Sequence, residues 1–301
     1  MAISVVTAVY NGADFLQEAV ESVLQQTEEN FEYIIVNDGS TDHTQEILDQ
    51  IKDPRVKLIH QVKNQGAARC LKLAIQQASG DWIAIQDADD VSLPSRLQKQ
   101  AAFLKNNQAI GLVGSYIQCI SSPELKRRAL ATERHINTEN SDLYYGSSFC
   151  HGTFMFSKAL YQQIGGYAPK YQIAYDYDLL MRFQGITKIK KIPEVLYHYR
   201  LHPDSLSNHN LLKTNRESLE ISIKAIIETT KTDPRDFLIV GTDEACQLFK
   251  QELAPLVSRN CYYTAKKDSI IIVLDHPGSR KLMNQLKREG RTFFKVWCAF
   301  S

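Results

Sequence analysis

The chain has 301 residues, 44% hydrophobic and 23% charged, the composition of an ordinary soluble globular protein with room for one large domain and a small appendage. A formal net charge of +1 gives no global argument for nucleic-acid binding, and no apolar run approaches the roughly 20 residues that cross a bilayer. The six cysteines are scattered without a C-x-x-C pair, which suits reduced thiols in cytosol better than a zinc site or a disulfide framework.

The opening MAISVVTAVYNGADF has no basic n-region, and its short apolar run ends in a turn, so it reads as a first strand and not a signal peptide. Leu16, Ala19, Val20, Val23 and Leu24 then share one helical face. YIIVN reads as a second strand, stopped by DGSTD, where Ser40 or Thr41 would cap a helix carrying Ile47, Leu48 and Ile51. VKLIH is a third strand, and NQGAARCLKLAIQQASG a helix with Ala67, Leu71, Ala74, Ile75 and Ala78 aligned and Gly80 as its C-cap. DWIAIQ is a fourth strand, and SLPSRLQKQAAFLKN begins a helix with Pro94 in its first turn.

Such alternation is the mark of a mostly parallel α/β sheet covered by helices on both faces. Ligands bind beyond the carboxyl ends of such strands, so Asn11, Asp38-Gly39-Ser40 and Asp87-Ala88-Asp89-Asp90 should converge on one edge. From about Ile110 the regularity loosens. IGLVGSYIQCI reads as a strand, and SSPELKRRALATERHINTENS as an irregular charged connection. FMFSKALYQQIGGY reads as a strand, a short helix and a turn, YDYDLLMRF as a helix and VLYHYRLH as a strand. An amphipathic segment from Leu211 to Thr230 and a KTDPRD linker follow, then two strand–helix units closed by TFFKVWCAF. The expected organisation is therefore a main domain over 1–230, with halves at 1–110 and 111–207 and a helix at 208–230, and a small Rossmann-like domain over 231–301.

The segment IAIQDADDVSLPSRL sets three carboxylates in four positions at the end of a buried strand. Such a cluster is either a solvated turn or a hard-oxygen site for a divalent cation that offsets the repulsion. Its neighbours carry more. VVTAVYNGADFLQEAVESVLQQT, YIIVNDGSTDHT, NQGAARCLKLAIQQASGDWIAIQDADD, HGTFMFSKALYQQIGGY and YDYDLLMR, in that order, resemble the motifs of family 2 glycosyltransferases over residues 2–207. The resemblance implies a GT-A-type nucleotide-binding fold and an inverting enzyme that uses a nucleotide-sugar donor.

By that resemblance, Thr7, Val9 and Asn11 surround the nucleoside, although YNG by itself reads as a strand-ending turn. Asp38 is assigned to the base, where a carboxylate would accept the N3–H of uracil; Ser40 and Asp42 fit a capping role. Gly66 lets the backbone approach the nucleotide, and Arg69 is either a phosphate or base contact or a solvent-facing cation. Asp87 and Asp89 match the family's D-x-D, Asp87 on the ribose and Asp89 on Mn²⁺ or Mg²⁺, while Asp90 either supports that site or favours the start of the next helix. Asp176 takes the base position, with Tyr175 where the family commonly has glutamate, which keeps Asp178 in play as an alternative. His202, in HYRLHPDSLS, is either a diphosphate or metal contact or a surface histidine, and His151-Gly152 resemble an acceptor-binding strand opening.

The tail's IVGTDEAC has Gly241 alone at a glycine position of the dinucleotide fingerprint, with Asp243 and Cys246 at the others, so the appendage is read as cofactor-free and as a surface for homo-oligomers or another partner. Lys126, Arg127 and Arg128, and Lys188, Lys190 and Lys191, read first as solvated surface, and second as attraction to anionic lipid or a lipid-linked acceptor. The expected partners are a nucleotide-sugar donor and a glycan or lipid-linked acceptor, with no nucleic acid. Two other classes compete. A nucleotidyltransferase would want a Gly-rich basic loop that AVYNGADF does not offer, and a non-catalytic relative is kept open by Tyr175 but opposed by Asp38, Asp87, Asp89 and Asp176 together.

Overall fold

Unbroken apolar runs make strands buried on both faces, and β1 (Ile3–Val9), β2 (Phe31–Asn37) and β4 (Trp82–Ile85) are of this kind. The computed structural model describes residues 1–137, 148–202, 205, 211–231, 237–240, 270–274, 288 and 293–296. Strand β3 (Val56–His60) continues the parallel set, and helices α1 (Leu16–Leu24), α2 (Thr44–Asp49) and α3 (Ala67–Gln77) connect it as the periodicity requires. After β4 come β5 (Val91–Ser92), α4 (Arg96–Asn106) and the long β6 (Ile110–Ser121). Then follow α5 (Lys126–Ile136), β7 (Met155–Ser157), α6 (Lys158–Gln163), α7 (Tyr175–Gln184) and β8 (Lys188–Leu201).

Among the described residues these strands form one eight-stranded sheet, ordered β3-β2-β1-β4-β7-β6-β8-β5. Its first half is parallel, whereas β7 runs antiparallel to both β4 and β6, and β5 antiparallel to β8. The sheet is thus more mixed in its second half than the strand–helix alternation of the first implies.

Several elements differ from expectation. The charged connection contains helix α5. Among the described residues, β6 has no strand partner on its β7 side beyond Val113, and α5 covers that edge with side chains. Asn137 accepts from Ile117 N at 2.8 Å and donates to Ile117 O at 2.7 Å, while Glu133 Oε1 accepts from Cys119 N at 2.6 Å. The KIKK run belongs to β8. Lys188 and Lys190 are exposed, but Lys191 is half-buried, donates to Ile136 O (2.8 Å) and Ser148 O (3.0 Å), and lies over the Phe149 ring. Burial pulls its ammonium down to about 8. Helix α2 starts at Thr44 with His43, and not Ser40 or Thr41, at its N-cap; no side chain caps it from there, but Asp42 Oδ1, one residue earlier, accepts the Thr44 N–H at 3.0 Å. Pro94 precedes α4 instead of lying in its first turn.

The chain divides into two compact units, the first comprising Met1–Ser141 and Ser148–Ser205. Helix α8 (Leu211–Thr230) falls in the second, and Leu219, Ile221, Ile223 and Ile226 on it are buried. In that unit β9 (Phe237–Val240), β10 (Ile270–Leu274) and β11 (Phe293–Val296) form a parallel sheet ordered β11-β10-β9. The expected linker after Lys231, the helices between these strands, and Gly241, Asp243 and Cys246 lie outside the described residues.

Candidate active site

Register brings the first set of polar residues to one edge. Val9 pairs with Asn37 and Val6 with Ile85, so Asn11, Asp38 and the acidic loop all follow strands that end together. Thr7 and Val9 do not present side chains there. Both are buried; Thr7 Oγ1 donates to Gln86 O at 2.7 Å and bonds Tyr33 Oη at 2.9 Å, because a strand covered on both faces leaves neither side free. Tyr10, 48% exposed, is the aromatic side chain that emerges at this strand end, and the sequence reading passed over it. Asn11 adopts a left-handed φ of 51°, and its Oδ1 accepts from Thr41 N at 2.8 Å, tying the first loop to the second.

Asp38 is 2% exposed, and its oxygens accept the N–H groups of Gln65 and Gly66, both at 2.8 Å. The carboxylate thus fixes the start of α3 while keeping further lone pairs for a ring N–H. Gly66 has φ 94°, and a side chain there would project into open space. Arg69 is exposed in the first turn of α3, near the same edge.

The acidic loop is held from below and from the side. Gln86 Nε2 donates to Asp87 O and Asp90 O, both at 2.9 Å, and Asp87 N donates to Tyr197 Oη at 3.2 Å. From β8, Arg200 donates its backbone N–H to Asp90 Oδ1 (2.7 Å) and its Nε–H to Asp89 O (2.8 Å). Asp87 and Asp89 remain partly exposed, and Asp89 Oδ2 meets His202 Nε2 at 2.9 Å. The Phe15 ring lies 5.0 Å from the His202 ring and 4.7 Å from the Arg200 guanidinium carbon. Asp90 is buried, and its Oδ2 has no hydrogen-bond partner among the described residues. Burial, then repulsion from Asp89 and Asp87, pushes its carboxyl well above the usual range.

Beneath the loop sits Arg96, 1% exposed, which sequence reasoning missed. It donates to Ile85 O (2.7 Å), Ser92 Oγ (2.8 Å) and Gln100 Oε1 (3.1 Å) and, among the described residues, pairs with no carboxylate. Its charge faces the same acidic loop that a cation would offset from above. An orphaned buried oxygen and a crowded loop fit a positive charge, and Asp89 with His202 are the residues that would hold a divalent ion. Among the described residues, no group of three His, Cys, Asp or Glu donors forms a closed cage.

The opposite wall comes from α7 and the turn before β7. Asp176 lies in the first turn of α7, partly buried, with Oδ1 accepting from Tyr177 N at 2.7 Å. Burial raises its pKa, and His151 pulls it back in part. Asp178 is buried against Arg182, whose Nε–H it accepts at 2.9 Å, and Arg182 also donates to Ile164 O at 2.8 Å. Asp178 is thus already paired with a cation of its own helix. Tyr175 is buried edge-on against His151, ring centres 5.5 Å apart. His151 is itself 8% exposed, between Asp87 Oδ1 (3.4 Å from Nδ1) and Tyr167 Oη (2.8 Å from Nε2), so it forms part of the wall beside the acidic loop. Gly152 beside it has no room for a side chain: a Cβ would meet the Tyr197 hydroxyl and come within 2.8 Å of Asp87 Oδ2.

Comparison with known proteins gives this arrangement its class. The family model described as Glycosyl transferase family 2 matches residues 4–165. A Bacillus subtilis (strain 168) protein named as a glycosyltransferase, EpsE, is 32% identical over 215 residues, 69% of this chain and 76% of that protein. S. aureus TarS 1–349, solved with UDP-GlcNAc, superposes with a TM-score of 0.60 at 18% identity, covering 86% of this chain and 76% of that one. The mannosyltransferase PcManGT from Pyrobaculum calidifontis, solved with GDP-Man and Mn²⁺, gives 0.54 at 16% identity, covering 85% and 81%. The fold is that of the GT-A transferases, and the molecule is a glycosyltransferase enzyme. The chain belongs to glycosyl transferase family 2.

Proposed function

We propose that the protein moves a sugar from a UDP-sugar to a hydroxyl of a glycan or lipid-linked acceptor, with inversion and with Mn²⁺ or Mg²⁺ bound. The observation that carries this reading is the convergence of Asp38, Asp87 and the Asp89–His202 pair on the strand ends, with Asp176 on the opposite wall. Asp38 supports uracil as the base, and Asp87 the ribose. Asp89 and His202 would hold the metal, which supplies Lewis-acid stabilisation of the leaving diphosphate when bound. The acceptor oxygen bonds to the anomeric carbon as the bond to the diphosphate oxygen breaks, and Asp176 takes the acceptor proton. UDP and UDP-GlcNAc in TarS favour uridine, while GDP-Man in PcManGT makes guanosine the second reading.

Cys70, Cys119 and Cys150 are free, which supports a reducing, cytoplasmic setting. No helix among the described residues is long and apolar enough to cross a membrane, so contact with a lipid-linked acceptor at the inner face would be peripheral. Release of nucleoside diphosphate from a panel of UDP- and GDP-sugars, with Mn²⁺ or with EDTA, tests the proposal. Turnover of a UDP-sugar that EDTA abolishes is expected. Equal turnover in EDTA would remove the metal from the account, and turnover of GDP-sugars alone would remove uridine.

A further inference from the structure

His151 occupies an unusual place for a histidine in a carboxylate-rich site. It lies on a 3-10 turn, His151–Thr153, immediately before β7, and β7 pairs with β4, whose end carries Asp87. Its ring is enclosed by Phe154 (5.3 Å), Tyr167 (6.0 Å) and Tyr175 (5.5 Å), all edge-on. Nε2 bonds the Tyr167 hydroxyl at 2.8 Å, and Nδ1 faces Asp87 Oδ1 at 3.4 Å, within ion-pair distance. A neutral ring satisfies this with Nδ1–H donating to Asp87 and Nε2 accepting from Tyr167; a charged ring donates at both ends.

The surroundings decide between the two. Facing the ring are Asp87 from the end of β4, Asp176 and Tyr175 from the start of α7, Tyr167 from the loop after α6, and Arg96 from α4. Two carboxylates thus stand against one cation. Burial works to lower the imidazole's pKa, but the hydrogen bond and charge of Asp87, with the charge of Asp176, raise it overall. In turn His151 foremost opposes the burial that raises Asp176.

We propose that His151 is a positioning residue, a buried imidazolium that joins Asp87 on the donor side to the first turn of α7 and keeps the Asp176 carboxylate ionised for the acceptor's proton. The inference rests on Asp176 being the base. It also accounts for Tyr175: the cation that neutralises Asp87 and Asp176 is enclosed by rings, and a second acid at 175 would reopen that balance.

Nitrogen-15 spectra of the histidine side chains test the charge without any substrate. His151, identified by the signal lost in His151→Gln, is expected to show both nitrogens protonated at pH 7, and a single neutral tautomer there would overturn the proposal. The carboxyl carbon of Asp176 should titrate at a higher pH in His151→Gln than in wild type. The acid limb of kcat/KM, measured with a UDP-sugar that wild type turns over, should rise with it and return toward wild type in His151→Lys. An unmoved Asp176 midpoint, with activity scaled equally at every pH, would make His151 a packing residue only. If wild type turns over no UDP-sugar, the donor reading fails while the spectra still judge the imidazolium.

Discussion

Replacing Arg96 by methionine removes a buried cation while keeping much of its volume. Three short hydrogen bonds disappear, to Ile85 O, Ser92 Oγ and Gln100 Oε1. At roughly 1 kcal/mol net for each, the loss is about 3 kcal/mol. The acidic loop above also loses a fixed positive charge, which adds to that figure because Asp90 already has an unpaired oxygen. For a unit of about 200 residues, such a loss lowers the melting midpoint by about 6–12 °C. Arg96→Lys should fall between, since it restores charge but not the planar fork. Urea unfolding followed by near-ultraviolet circular dichroism gives the free energy, and calorimetry the midpoint. A loss below about 1 kcal/mol for Arg96→Met would refute the reasoning, because it would mean that the fork is replaceable by packing alone.

Asp176→Asn should bind UDP like wild type while losing about 10²–10⁴-fold in turnover, as removal of a general base does. Since burial raises the Asp176 pKa, and only the ionised form accepts a proton, wild-type kcat/KM should fall on the acid side at a pH above the ordinary aspartate range; a pH–rate series measures it. Asp178→Asn should instead cost about 2 kcal/mol in urea unfolding through its bond to Arg182 and leave turnover within a few-fold of wild type. A large turnover loss at 178 with stability intact would exchange the roles of the two aspartates.

The parallel half of the sheet was legible because its strands are unbroken apolar runs and its helices carry clear apolar faces, so the polar residues after β1, β2 and β4 could be placed on one edge from the alternation. Helix α5 was not legible: its first turn is Lys126-Arg127-Arg128, a charge pattern that opposes the helix dipole, and what holds it is the unpaired edge of β6. Lys191 read as surface because a lysine in a basic run gives no sign of carbonyls waiting for it. Asp176 is set ahead of Asp178 in YDYDLLMR by resemblance alone, although Arg182 stands four positions after Asp178, the spacing at which side chains on a helix meet, so that pairing was open to a sequence reading. Arg96 finds Ser92 and Gln100 four positions away, but its bond to Ile85 O, and the places of Asp87 and Tyr167 around His151, depend on residues 11 or more positions off, which no local pattern carries.

The most direct test of the whole account is a thermal-shift titration with UDP, GDP, dTDP and CDP, each with and without Mn²⁺, on wild type and Asp89→Ala. A nucleotide at about 100 times its Kd stabilises by roughly 2.7 kcal/mol, several degrees for a unit of this size. The account predicts a UDP shift that requires Mn²⁺ and vanishes in Asp89→Ala. A cooperative melt that no nucleotide moves, or a UDP shift indifferent to both Mn²⁺ and Asp89, would contradict it.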